Sequence, residues 1–228
     1  MLELDARQAY DRLGAAYPAH AHNALMQAEQ RAVLAALPAT LAGLAVLDAG
    51  CGTGRYMQIA RERGASTVVG VDLSLGMLRA NAEAGCVQAS ITSLPLPAGW
   101  ADLVVCALAL GHIDALDTAF VELARVLRAG GRILCTDIHP AGVARGWRRT
   151  FRCGDETIAV KHFYRDVAAW RAAAAAAGLR LRRIADVYLA RADIGDQRGF
   201  DPAALDLPVA ILIELANPAG ATGAGSET

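Results

Sequence analysis

Short apolar runs punctuate this chain, and stretches with helical spacing lie between them. Runs at about 45–48, 67–71, 86–89, 102–108, 132–137, 179–187 and 208–216 read as strands. Segments at about 54–63, 75–84, 115–127 and 166–177 read as helices. Two more helices precede the first strand. In residues 5–18, Tyr10, Leu13 and Tyr17 share one face before Pro18. In residues 25–37, Met26, Val33, Leu34 and Leu37 are apolar before Pro38. Alternation of this kind predicts an α/β fold with a largely parallel seven-stranded sheet and helices on both faces. Residues 150–160 predict a small β-hairpin around Gly154-Asp155. The last two strands are joined through Gly195, Gly199 and Pro202 with no obvious helix, which fits an antiparallel last strand. Residues 219–228 hold no core former and are expected to fray.

The segment Val46-Leu47-Asp48-Ala49-Gly50-Cys51-Gly52-Thr53-Gly54 runs from a strand into a helix through three alternate glycines. Glycines are needed where the backbone turns sharply and lies against a ligand. The spacing is not the dinucleotide pattern, because Arg55 stands where its third glycine belongs. It is not a phosphate loop, since no Gly-Lys-Ser/Thr follows. The next strand, Val68-Val69-Gly70-Val71-Asp72, ends in an acid at its C-terminal tip. A carboxylate there accepts both hydroxyls of a ribose. With SLPLP at 93–97, ADLVVCALALGHI at 101–113 and VLRAGGRILCTDIHP at 126–140, these segments resemble the class I S-adenosylmethionine-dependent methyltransferases. The likeness runs from residue 5 to 190 and is strongest over 45–140.

The resemblance implies a Rossmann-like sheet under a helical N-terminal cap, with S-adenosyl-L-methionine as cofactor and S-adenosyl-L-homocysteine as product. One domain is expected over 1–218: a cap at 1–44, a cofactor-binding half at 45–140, and a substrate-side insertion with the final strands at 141–218. Asp48 would orient the glycine loop or reach the methionine end through water. Gly50, Cys51 and Gly52 would form the loop against the amino-acid moiety, and Gly54 would let the first helix pack closely. Asp72 is expected at the ribose diol, with Leu73 and Met77 sandwiching the adenine. The family often has Gly-Asp after the third strand, whose Asp bonds the adenine amino group. Here Ala89-Ser90 stands in its place, so that contact is the one in doubt, since a hydroxyl is a weaker acceptor. Ile91 would cover the ring and Leu108 would face the sulfonium. Tyr10 or Tyr17 would cap the methionine carboxylate from the N-terminal helix.

Methyl transfer is an in-line displacement, so a base is needed only when the acceptor must lose a proton. His112 and His139 follow the fourth and fifth strands and are the candidate bases. Asp137, at the end of the fifth strand, is read instead as a holder of a backbone amide. The run Arg145-Gly146-Trp147-Arg148-Arg149-Thr150-Phe151-Arg152 interleaves base and aromatic. It reads as a solvated hairpin flank or as a receptor for an anionic substrate or an acidic carrier protein.

Composition narrows the rest. The hydrophobic fraction of 54% is spread out, and no run reaches the ~18–20 residues of a membrane span. Five cysteines lack C-x-x-C spacing, so a reduced, cytoplasmic setting is expected and no metal. Net charge of −1 gives no pull toward nucleic acid or membrane. The leading reading is a methyltransferase acting on O, N or C of a small molecule. The alternatives are a carboxyl O-methyltransferase on a carrier-protein thioester, a non-catalytic cofactor-binding protein, and an RNA methyltransferase.

Overall fold

The computed structural model describes residues 1–194 and 202–218. Seven strands form the main sheet: β2 (Ala45–Ala49), β3 (Thr67–Asp72), β4 (Cys86–Gln88), β5 (Ala101–Ala107), β6 (Leu127–Ile138), β9 (Arg180–Tyr188) and β10 (Pro208–Ala216). Their spatial order is β4-β3-β2-β5-β6-β10-β9, and β10 alone runs antiparallel to both its neighbours. The expected Rossmann-like architecture is therefore present. From β2 the chain winds outward to β3 and β4 and then returns to pair β5 with β2. That reversal opens a crevice at the C-terminal strand ends, where ligands of such sheets sit.

Side-chain alternation builds a core on each face. Along β5, Val104 and Cys106 join Phe120 of α5 (Leu116–Val126) and Trp170 of α7 (Val167–Ala176). Leu103 and Val105 point the other way, toward Val33 of α2 (Ala24–Ala36) and Met57 of α3 (Arg55–Glu62). In α5, Leu116, Ala119, Phe120, Leu123 and Val126 form the buried stripe that fixes its orientation. Among the described residues, no helix is long and apolar enough to cross a membrane.

Several local expectations need correction. The first helix, α1, covers only Ala6–Leu13, and a 3₁₀ turn at Gly14–Ala16 follows. Tyr17 therefore leaves the helix that was expected to carry it. The turn has a cause: Gly14 lies against Gly76, and a Cβ on Gly14 would stand 2.9 Å from the Gly76 carbonyl oxygen. Helix α4 (Leu75–Ala80) stops at Ala80 rather than 84. The Asn81 side chain ends it, accepting from Glu83 N (2.8 Å) and donating to Gly52 O (3.2 Å). Strand β6 begins at Leu127, five residues early. The joint between the last two strands does hold one turn of helix, α8 (Arg191–Ile194). Gly195, Gly199 and the 219–228 tail lie outside the described residues. Helix α6 (Pro140–Ala144) follows β6.

The hairpin forms as β7 (Thr150–Cys153) and β8 (Glu156–Val160). Its partner is unexpected: Leu2–Leu4 forms β1, parallel to β8. Ala9 of α1 packs with Ile158 and Val160. The N-terminal cap and the insertion thus share one three-stranded sheet.

Beneath the crevice lies a buried polar knot. Glu29 of α2 is fully buried. It accepts from Arg55 Nη2, Tyr56 Oη and Thr136 Oγ1, each at 2.8 Å. Three elements are pinned by one carboxylate. Removing it leaves Arg55, whose side chain is only 12% exposed, without its counter-ion. Glu29→Ala is expected to cost about 3 kcal/mol or more in urea denaturation. A loss below about 1 kcal/mol would show that the knot is not a stabilising element.

Candidate functional site

The crevice is lined by Tyr17, Asp48, Gly50, Cys51, Gly52, Asp72, Leu73, Met77, Ser90, Ile91, Leu108 and His112. The structure thus brings together nearly all the residues singled out in the sequence. Gly54 lies just outside: its φ of +90° starts α3, and its Cα faces the Asn81 side chain, which leaves no space for a Cβ. His139 is not in the crevice. Its Nδ1 accepts from Ala141 N (3.0 Å), capping α6, and its Nε2 lies 3.4 Å from Asp186. A helix cap bonded on both nitrogens has no route to an acceptor, so the expectation of a base at His139 is withdrawn.

Asp72 organises the floor. Its Oδ2 accepts from Gly52 N and its Oδ1 from Ser74 N, both at 2.8 Å. Ser74, not Asp72, caps α4 through Met77 N. Burial raises the Asp72 pKa, and the amides of Ser74 and Gly52 pull against that rise. Each carboxylate oxygen keeps a free lone pair after its amide bond. Gly52 has φ +53°, and a Cβ there would stand 3.1 Å from Met77 Cε, so the loop keeps its closeness only with glycine. Leu108 is the one described non-glycine residue with positive φ (+55°). Its amide is held by Thr136, to O at 2.9 Å and Oγ1 at 3.2 Å. Backbone strain of this kind survives where surrounding contacts enforce it. Ser90 faces the crevice, with its hydroxyl 2.7 Å from Thr92 Oγ1.

The cap supplies the roof. Asp11 of α1 accepts from Ser74 Oγ (2.7 Å) and Gly76 N (2.9 Å), which latches the cap onto the turn that carries Asp72. Tyr10 Oη accepts from Arg149 Nε (2.6 Å) and lies 3.1 Å from His112 Nε2. His112 Nδ1 is 3.0 Å from the Lys161 carbonyl, which can only accept, so Nδ1 carries the proton. Tyr10 then donates to Nε2. Burial, helped by the Arg149 charge, lowers the His112 pKa to about 4, and burial raises that of Tyr10 to about 12. Both are neutral at pH 7.

Sequence reasoning missed several groups. Arg149 lies in the basic run yet nothing in the pattern separated it from Arg148. Arg55 read only as a departure from the dinucleotide motif. His162 gave no signal; it donates from Nε2 to Asp137 Oδ1 (2.8 Å), which also takes the Ile138 amide. The amide-holding reading of Asp137 was the right part of a larger pair.

The sequence model of the family described as "Methyltransferase domain" matches residues 47–135. A malonyl-[acyl-carrier protein] O-methyltransferase of Enterobacter lignolyticus is 40% identical over 121 residues, 51% of this chain and 47% of that protein. A protein of the same name from Pseudescherichia vulneris is 31% identical over 173 residues, 72% of this chain and 67% of that protein. The chain belongs to the class I S-adenosylmethionine-dependent methyltransferases. It spans about half the length of the first relative. The crystal structure of an S-adenosylmethionine-dependent methyltransferase from Mesorhizobium loti superposes with a TM-score of 0.69 at 25% identity, over 83% of this chain and 97% of that one.

The residues fit the cofactor of this methyltransferase family. Asp48 is 2% exposed, and its Oδ2 has no hydrogen-bond partner. An orphaned buried carboxylate oxygen suits a cationic ammonium. Asp72 has acceptor capacity for a diol. Leu73, although it lines the crevice, is 43% exposed and awaits a flat apolar group. Burial raises the Asp48 pKa to about 7, against the Arg55 charge and with that of Asp72. The folded state therefore holds this proton more tightly than the unfolded chain. The stability it contributes is complete below about pH 4 and is lost as pH rises toward about 7. Asp48→Asn cannot ionise. Thermal melts of the ligand-free proteins should show the variant gaining on wild type through that window, by up to about 4 kcal/mol. A difference constant with pH would contradict the buried-acid assignment.

Proposed function

We propose that this chain moves the methyl group of S-adenosylmethionine onto an oxygen, nitrogen or carbon of a small acceptor with an apolar body. The observation that carries this is a second cavity of about 620 Å³ beside the crevice, which is about 160 Å³. Leu13, Leu25, Ile138, Trp147, Phe151 and Val209 give it apolar walls. Tyr10, Tyr17, Pro18 and Arg149 line both spaces. An in-line transfer between two ligands needs adjoining spaces that meet at the reacting atoms, and these two adjoin at those four residues.

When bound, the cofactor supplies a methyl group already activated on a sulfonium. The chain's own work is placement and exclusion of water. Asp72 fixes the nucleoside end, the glycine loop and Asp48 the amino-acid end, and Leu108 closes the floor where β5 ends. The cap, latched by Asp11, shuts the roof. His112 holds Tyr10 in position and keeps its own proton on Nδ1 toward Lys161. It acts as a positioning residue, not a base. Acceptors with a ready lone pair or an already ionised oxygen are served by such a site.

A second reading is favoured by the likeness to carrier-protein O-methyltransferases and by Arg148, exposed on the rim of the second cavity. There the acceptor would be an acyl group presented by an acidic carrier protein.

Methyl-labelled cofactor tested against apolar acids, amines and alcohols, and against acyl-carrier proteins, should label a member of this set. His112→Gln should lower that turnover less than about tenfold, and wild type should show no activity step at about pH 4, where His112 titrates, that the variant lacks. A fall of about 10²–10⁴-fold with loss of such a step would make His112 a base after all.

A further inference from the structure

Most arginines drawn against the body of this protein meet a carboxylate. Arg55 has Glu29, Arg125 has Glu122 and Arg128 has Asp102. Arg63 and Arg165 are satisfied by backbone carbonyls. Arg149 is different. It stands one residue before β7, and its carbonyl accepts from Val160 N (2.9 Å), so its backbone is fixed by the hairpin. Its side chain enters the wall between the two cavities. Nε donates to Tyr10 Oη (2.6 Å) and Nη2 to Tyr17 Oη (3.1 Å). Among the described residues, Nη1 makes no hydrogen bond and no carboxylate lies within 4.0 Å of the guanidinium.

The two hydroxyls are turned to serve as acceptors. Tyr10 passes its own proton toward His112, and Tyr17 passes its proton toward Met26 Sδ (3.5 Å). Neutral oxygens orient a cation but do not neutralise it, and an enclosed charge without a counter-ion is costly. Burial works against this charge, yet a guanidinium stays ionised. The other arginine of the crevice, Arg55, is already matched by Glu29. What remains is one positive charge with an open donor edge at the junction of the two ligand spaces. A planar fork of this kind fits a singly charged carboxylate.

We infer that Arg149 is a carboxylate seat at the junction of the crevice and the second cavity, held ready by Tyr10 and Tyr17. This rests on the methyltransferase reading above. The carboxylate has two possible sources, the methionine end of the cofactor or the acceptor itself, and both present the same group to Nη1.

Calorimetry on the full chain separates them. Wild type, Arg149→Met and Arg149→Lys are titrated with S-adenosylhomocysteine and with 5′-methylthioadenosine, which shares the nucleoside but lacks the amino acid. Octanoate and octanamide are then titrated into the S-adenosylhomocysteine complex. Methylthioadenosine should bind all three proteins alike, which also shows that they are folded. In Arg149→Met, one carboxylate ligand should weaken at least about tenfold against its neutral counterpart, with part of the loss restored by lysine. Loss confined to S-adenosylhomocysteine places the cofactor's carboxylate on Arg149, and loss confined to octanoate places the acceptor's. If Arg149→Met does not fold, Arg149→Lys carries the comparison, because it keeps the charge without the fork. An unchanged preference for S-adenosylhomocysteine, with no Arg149-dependent binding of octanoate, overturns the seat and leaves Arg149 a strut of the cap. A wild type that binds neither nucleoside overturns the methyltransferase reading itself.

Discussion

One carboxylate joins the parts of this molecule that matter for its chemistry. Asp72 accepts the Gly52 amide with one oxygen and the Ser74 amide with the other. The first bond holds the glycine loop after β2, and the second shapes the turn after β3. Ser74 in turn donates to Asp11 on the cap. Loop, turn and roof are thereby tied within two bonds of the same side chain. The bonds exist because β2 and β3 pair in parallel, which sets their tips side by side, and the return to β5 on the other side of β2 leaves the crevice above them open. Any ligand that takes the remaining lone pairs of Asp72 senses all three segments.

Above this floor, function is decided by segments far apart in the chain. Residues 2–4 and 150–160 meet in one small sheet, and the Ala9, Ile158 and Val160 cluster fastens α1 beneath it. This union brings Tyr10, Tyr17 and Arg149 into a single partition. The family's sequence model covers the cofactor half at residues 47–135, whereas the partition and the cavity behind it are built by the cap together with residues beyond that match. Fold alone does not fix chemistry, so what distinguishes this chain lies in those segments.

The distribution of what the sequence revealed follows from this division. Strand positions, the glycine loop, Asp72 and the crevice residues were legible because each rests on local pattern: an apolar run, a glycine spacing, an acid at a strand tip. The antiparallel β10 was legible for a related reason: the sequence before it offers no helix long enough for a parallel crossover, and among the described residues the joint holds a single α-helical turn, α8. Tyr17 was placed on a helix that the close approach of Gly14 and Gly76 brings to an end. His139 looked equivalent to His112, since both follow strands; the difference lies in Pro140, which starts a helix that His139 caps. Strand β1 was invisible because three residues at a terminus carry no period. Glu29 was invisible as a site element, and Arg149 was flagged only as one of a basic run, because their meaning lies in partners more than twenty residues away, and sequence spacing does not encode those.

The central claim is that Asp72 both ties the floor together and receives the ribose diol of the cofactor. Calorimetric titration of S-adenosylhomocysteine into wild type and Asp72→Ala tests it most directly, with thermal melts confirming that the variant is folded. The account predicts a loss of about 2 kcal/mol or more in binding, since two hydroxyls lose a charged acceptor. Unchanged affinity in a folded variant would contradict it.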